Sequence, residues 1–342
     1  MPENLTRRGL LAAGGALGLT TLLAACGDEE GGMGGTDKGA ANSPAAGPWS
    51  FTDDRGEKLE LKAAPTGIVA FVGTAAALHD YGVRVKGVFG PTKTKDGKAD
   101  VQAGDLDVDK VEILGNVWGE FNIEKYAALA PEVLITGMYD KGALWYVPDE
   151  SKGKIFKLAP TIALMVARSS MPAVLQRHAE LAESLGADLK AAKAVEAKAR
   201  FEKAAGELRS AAKSNPGIKV LVASGSADLL YVSTPEPSAD LRYFKELGVE
   251  FVIPDKVDDA GWFEGLSWEN ADKYPADVIL LDNRTGTLQP AQLGEKPTWE
   301  KLPAVKAGQV VARVTEPIFS YAKCAPILED LAKAIRDAKK VS

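Results

Sequence analysis

Nine side chains of this 342-residue chain, set near the ends of apolar runs, are of types that grip a large, partly apolar small molecule. Trp118, Tyr139, Trp145 and Tyr146 lie in the first half, and Tyr231, Trp262, Phe263, Arg284 and Tyr321 in the second. Several follow short apolar runs that read as strands. Trp118 comes after Leu114-Gly115, Tyr139, Trp145 and Tyr146 after residues 133–136, and Arg284 after Leu281-Asp282-Asn283. Ligands of open α/β sheets bind at the carboxyl ends of strands. Aromatic rings cover a large ligand at low entropic cost and offer a polar edge, and the guanidinium of Arg284 is always charged and able to bond an anionic oxygen. Any one of these residues reads equally well as a packed or ordinary surface residue. As a set, at strand exits in both halves, they favour a cleft.

Residue types for catalysis or a resident metal are present but not arranged for either. There is no Gly-x-Ser-x-Gly elbow and no His-Glu-x-x-His. Gly90…Gly97-Lys98 has the wrong spacing for a phosphate loop, and Ala99 stands where Ser or Thr belongs. Asp105, Asp107 and Asp109 alternate as in a solvated strand or loop, not as an acid–base pair. His79 and His178 have no His, Cys or paired carboxylate at ligand spacing, so both read as structural or surface histidines and no metal site is expected. The chain therefore reads as a binder and not an enzyme.

The elements that carry these residues begin with an export signal. Thr6-Arg7-Arg8-Gly9 is basic, an apolar run extends to Ala25, and Leu23-Ala24-Ala25-Cys26-Gly27 closes it. Those last five residues resemble a bacterial lipobox, in which Cys26 becomes the first mature residue and carries lipid. The paired arginines resemble a twin-arginine signal, with ordinary export as the alternative. Residues 26–48, rich in Gly, Ala, Ser and Pro, form a tether to the outer face of the cytoplasmic membrane, with a reach of about 25 Å. Loss of residues 1–25 removes Glu3, Arg7 and Arg8 and moves the net charge from −6 to −7, which argues against a nucleic-acid partner. With Cys26 lipidated, Cys324 has no partner for an intrachain disulfide.

From Trp49 onward, short apolar runs at 67–72, 85–89, 111–114, 133–136 and 161–166 alternate with helical patterns at 75–81 and 123–129, as in a mostly parallel sheet. Residues 171–185 and then 188–213 read as helices, the second opened by Asp188. Its Ala194, Phe201 and Leu208 lie seven apart on one face. Alternation resumes with strands at 218–223, 250–253, 277–281 and 309–313 and helices at 238–247 and 326–340. This divides the body into an N-terminal lobe (49–187), an inter-lobe helix (188–214) and a C-terminal lobe (215–342). One unit recurs at an offset of 145: Asn122-Ile123-Glu124 leads to Pro131-Glu132-Val133, and Ser267-Trp268-Glu269 leads to Ala276-Asp277-Val278. Each acid falls in the first turn of a short helix, where the dipole favours it, with Asn122 or Ser267 placed to cap.

These pieces, in this order, resemble the substrate-binding lipoproteins of ABC importers, in the class that serves ferric siderophores, haem and cobalamin. The residues that carry the likeness are Phe51-Thr52-Asp53-Asp54-Arg55-Gly56, the two repeated units, and Trp299-Glu300-Lys301-Leu302-Pro303-Ala304-Val305-Lys306-Ala307-Gly308. The match spans about residues 49–340. It implies an α/β fold of two Rossmann-like lobes joined by one long rigid helix, with the ligand cleft between them. It also implies that Glu124 and Glu269 dock onto basic residues of an ABC permease. The ligand it implies is an Fe(III)-siderophore complex, of hydroxamate type as first choice, with haem or a corrinoid as the alternative and no intrinsic cofactor. A chelate brings its own oxygen ligands, which agrees with the scarcity of metal ligands here. A monomer is expected. An adhesin-like lipoprotein or an enzyme on the same scaffold remains as a reading from another class.

Overall fold

The structure, a computed structural model, describes residues 47–342. The signal, Cys26 and most of the tether lie outside the described residues. The body opens with an antiparallel hairpin of β1 (Trp49–Thr52) and β2 (Lys58–Leu61). Trp49 and Phe51 alternate inward with exposed neighbours and stack at 6.5 Å. A parallel sheet follows, built from β3 (Ile68–Phe71), β4 (Gly87–Phe89), β5 (Glu112–Ile113), β6 (Val133–Met138) and β7 (Thr161–Met165) in the order β5-β4-β3-β6-β7. Three helices connect it: α1 (Val72–Asp80), α2 (Ile123–Ala128) and α3 (Lys152–Leu158). Strands β3 and β6 are buried along their whole length, as expected of a sheet covered on both faces. The hairpin turn closes the edge at β7. Ala163 N donates to Asp53 Oδ2 at 3.0 Å, Met165 N to Asp54 Oδ2 at 2.7 Å, and Asp54 N to Ala163 O at 3.1 Å.

The chain then crosses through α4 (Met171–Ser184) and α5 (Ala192–Ser214) into the second sheet. That sheet holds β8 (Lys219–Gly225), β9 (Leu229–Ser233), β10 (Glu250–Phe251), β11 (Phe263–Ser267), β12 (Val278–Asp282) and β13 (Val310–Arg313). Its order is β11-β9-β8-β12-β13, with β10 beside the start of β8. The helices α6 (Ala239–Glu246), α7 (Pro290–Leu293), α8 (Pro303–Lys306) and α9 (Tyr321–Asp337) complete the lobe. Strand β9 pairs antiparallel with both β8 and β11, so this sheet is mixed, while the pairings of β10, β8, β12 and β13 are parallel. The run Leu229-Leu230-Tyr231-Val232 marks β9 but has no place in the sequence reading, and Gly265 interrupts β11.

The repeated unit has a structural basis. Strands β3-β6-β7 and β8-β12-β13 hold matching places in the two sheets. Glu132 N donates to Gly67 O at 2.8 Å while its Oε2 accepts from Gly67 N at 2.6 Å. Asp277 N likewise donates to Lys219 O at 2.9 Å while its Oδ2 accepts from Lys219 N at 2.9 Å. Each acid thus clamps the start of the neighbouring strand.

The crossing differs from the sequence reading. Asp188 bonds Lys190 N at 2.9 Å in a turn, and α5 begins only at Ala192, behind Ala191, which makes no side-chain cap. The buried side chains of α5, Phe201, Ala204, Ala205, Leu208 and Ala211, all belong to the C-terminal core with Val220, Phe244 and Leu328. The helix that serves both cores is α4. Its Met171, Val174 and Leu175 pack in that same core, and its Leu181 and Ala182 pack with Ile68 and Leu164 of the N-terminal lobe. Periodicity locates a helix but does not say whose core its apolar face enters. The closing helix α9 also starts earlier than expected, at Tyr321 behind the Ser320 cap, with Pro326 inside it.

Candidate functional site

A cavity of about 290 Å³ lies where the carboxyl ends of the two sheets face each other. The loop after β6 folds back to form its N-terminal wall. Trp145 N donates to Gly137 O at 2.9 Å, and the Thr136 hydroxyl donates to Trp145 O at 2.8 Å. This sets Tyr139 and Trp145 side by side, with ring centroids 4.5 Å apart. Trp262 comes from the opposite lobe, just before β11, and meets Tyr139 edge-on at 5.8 Å. Phe263 and Arg284 complete the set of expected residues that line the cavity.

Two more expected residues form its rim. Trp118 packs on Trp145 at 4.9 Å and on Tyr146 at 5.0 Å, while remaining 63% exposed. An exposed indole held between two rings is available to a ligand at little further entropic cost. Tyr146 sits at φ +58°, unusual for a bulky non-glycine residue and a form of strain that clusters at ligand sites. Tyr231 lies within β9 and reaches the cavity at one remove, packing on Phe263 at 4.9 Å. Tyr321 is not part of the site. It is the first residue of α9 and packs on Phe201 of α5 at 5.5 Å, beneath the Lys198 ammonium at 5.9 Å. The early start of α9 puts it on a helix face where a strand exit was expected.

Arg284 reaches the cavity already engaged. Its Nη2 donates to Asp282 Oδ2 and its Nη1 to Glu316 Oε1, both at 2.7 Å. Burial alone would lower its pKa, but the two carboxylates outweigh that and hold it above its ordinary value. Burial raises the Asp282 carboxyl, and Arg284 overrides it and holds the acid below its ordinary range. Glu316 also spans the lobes, its Oε2 accepting from Gln102 Nε2 at 3.1 Å and Trp145 Nε1 at 3.3 Å. Burial, then the negative charge of Glu316, pushes the Tyr139 phenol well above its usual pKa, and Tyr146 is pushed up to about 12.

Beneath the floor, Arg313 and Asp240 form a buried bidentate pair. Arg168, at φ +56°, ties the mouth together, bonding Asp140 at 2.9 Å and Ala260 O at 3.0 Å with its guanidinium 5.7 Å from the Trp262 ring. The sequence reading missed Glu316, Gln102, Asp240, Arg313 and Arg168. The strand-exit rule that found Arg284 also covers Glu316, three residues past β13, but it was applied to aromatics and one arginine alone.

The acidic stretch at 105–109 does not line the cavity. Asp105 pairs with Lys323, Asp107 with Lys110 and Asp109 with Lys93. His178 is buried in α4 with Nδ1 2.9 Å from Val174 O, and burial lowers its pKa to about 4. Cys324 is buried and free, and burial raises its thiol pKa.

Glu124 and Glu269 are both exposed. Asn122 caps α2, accepting from Lys125 N at 2.9 Å, and Asn122 N bonds Leu114 O just past β5. The second unit is a single 3-10 turn, Trp268–Asn270, without a side-chain cap from Ser267. It sits beside the exit of β8, where Trp268 Nε1 donates to Ser226 O at 3.2 Å. Both acids therefore stand at the strand-exit ends of their lobes, the ends that face the cavity. Among the described residues, no helix is long and apolar enough to cross a membrane.

Known proteins share this fold. The chain is similar to DesE, a ferric-siderophore receptor protein from Streptomyces coelicolor, with TM-score 0.83 and 62% identity over 86% of this chain and 100% of that one. PiuA from Streptococcus pneumoniae shares the fold at TM-score 0.63 and 18% identity, over 84% of this chain and 97% of that one. FhuD from S. pseudintermedius does so at 0.57 and 22%, over 85% and 98%. No curated protein matches the chain. The family described as periplasmic binding protein matches residues 71–313, most of the body and both walls of the cavity, and the chain belongs to that family.

Proposed function

We propose that this protein captures a ferric siderophore outside the cytoplasmic membrane and delivers it to an ABC permease. The observation that carries the reading is the aromatic wall that crosses from lobe to lobe, Trp118–Trp145–Tyr139–Trp262. Such a wall suits a bulky chelate that brings its own oxygen ligands to the metal. The likeness to the ferric-siderophore receptor supports the same ligand class.

The chelate is of hydroxamate type. Trp118, Tyr139, Trp145, Tyr146, Trp262, Phe263 and Arg284 hold it, with Tyr231 behind Phe263. Glu124 and Glu269 dock the permease. Cys26 carries the lipid anchor, and the protein acts as a monomer. The lobes span 49–187 and 215–342, with α4 as the element that couples them.

Tryptophan-quenching titrations of the purified protein with ferric hydroxamates, their iron-free forms, haemin and cobalamin test the reading. Saturable quenching by a ferric hydroxamate, weaker without iron, is expected. A response to haemin or cobalamin alone would replace the ligand class and keep the transport role.

A further inference from the structure

The cavity floor carries more negative than positive charge, and one residue is responsible. Arg313 and Asp240 balance each other, as do Arg168 and Asp140 at the mouth. Arg284 does not pair one to one. Asp282 alone engages the guanidinium through Nε and Nη2, and the Glu316 carboxylate then takes Nη1 at 2.7 Å. Two carboxylates on one guanidinium leave one negative charge over. Glu316 is also held too firmly to swing away from an incoming ligand. Its second oxygen is occupied from the other lobe by Gln102 and Trp145, and the side chain is 8% exposed. A free guanidinium here would attract an anionic chelate, but this one offers no net positive charge.

Resting on the siderophore reading above, we propose that Glu316 is a specificity-determining residue, making the cavity prefer ferric complexes that carry a positive charge over those that carry a negative one. The ligand class it selects is a ferric trihydroxamate bearing a pendant ammonium. A unit charge about 10 Å away at an effective dielectric constant of 20 changes affinity by roughly tenfold. The ratio of affinities for cationic and anionic complexes then moves by roughly the square of that.

The test titrates the purified protein by tryptophan quenching with three ferric trihydroxamates of one scaffold: pendant ammonium, acetylated to neutral, and succinylated to anionic. The wild type should bind them in that order. Glu316→Gln, which keeps shape but loses the charge, should shrink the cationic-to-anionic ratio at least tenfold, and added salt should shrink it in the wild type. Asp282→Asn removes the same charge from a second position and should shift the ratio in the same direction even if Glu316→Gln fails to fold. Trp145→Phe removes the cross-lobe hydrogen bond without changing charge and should weaken all three complexes in parallel. Parallel losses in the two charge variants, with the ratio unmoved, would overturn the inference and leave the siderophore reading standing. A wild type silent to all three complexes would overturn that reading and the inference with it.

Discussion

Arg313 and Asp240 meet side-on, with Nε and Nη2 each 2.9 Å from a carboxylate oxygen and neither side chain more than 5% exposed. Asp240 stands in the first turn of α6 and Arg313 ends β13, so the pair locks a helix to the sheet directly under the cavity. Removing one partner strands a buried charge. Asp240→Ala should therefore destabilise the protein by about 3–5 kcal/mol, measured by denaturant unfolding. Asp240→Asn should cost less, because it keeps two polar atoms in place. A loss below 1 kcal/mol for the alanine variant would show that the pair is solvated in solution.

His178 gives a pH dependence whose sign is fixed by its burial. Its pKa falls from 6.5 to about 4 in the fold, so between those values the unfolded chain takes up a proton that the folded chain refuses. Stability should be flat in this term above pH 6.5 and fall as pH drops toward 4, by about 3 kcal/mol in all. Glu132 and Asp277 act lower on the scale. Backbone N–H groups hold Glu132 below its ordinary value, and they outweigh burial at Asp277. Their stabilisation is present above the ordinary carboxyl range and lost as pH falls through their lowered values. A His178→Leu variant should lose the slope between pH 6.5 and 4. If the slope survives, the titrating group lies elsewhere.

Much of this fold was legible in the sequence because its strands are dense in Val, Ile and Leu. Runs such as Val133-Leu134-Ile135 and Val278-Ile279-Leu280-Leu281 announce buried strands wherever they occur. The repeat was legible too, and its best-conserved geometry proved to be the Glu132 and Asp277 clamps. Strand β11 was not, since at the sheet edge, with mixed exposure and Gly265 inside it, it has no continuous apolar run, and β9 was passed over despite Leu229-Leu230-Tyr231-Val232. The aromatics of the N-terminal wall were found from strand exits, and Tyr321 was lost because its helix begins before Pro326. Glu316 stands at a strand exit the sequence shows, but its role needed the structure. Its importance comes from partners 32, 171 and 214 residues away in the chain.

The exposed acids predict a separation of binding from transport. Glu124→Ala combined with Glu269→Ala should leave siderophore affinity within about twofold, as expected for exposed positions that do not line the cavity. Uptake by cells relying on this protein should stop. Loss of binding in solution would remove both residues from a docking role.

The lobes should move little when ligand binds. Side chains of α4 belong to both cores, so a wide hinge would tear one of them. Ser320 also bonds Asp80 at 2.5 Å, and Lys323 bonds Asp105 at 2.7 Å, across the boundary from the start of α9. Small-angle scattering should show no measurable change in the radius of gyration, as expected when a pre-organised site keeps its backbone within about 1 Å r.m.s.d.. A larger compaction would mean that α4 bends or undocks.

The central claim is that a ferric siderophore is held between Trp145 of one lobe and Trp262 of the other. Calorimetric titration of the wild type and of the Trp145→Ala, Trp262→Ala double variant, with a ferric trihydroxamate and its iron-free form, tests it most directly. The account predicts that the wild type binds the ferric form at least tenfold more tightly than the iron-free one. It predicts that the double variant, still folded, loses about a hundredfold or more in affinity for the ferric form, as expected when two aromatic anchors are removed. Undiminished binding in the double variant would contradict it.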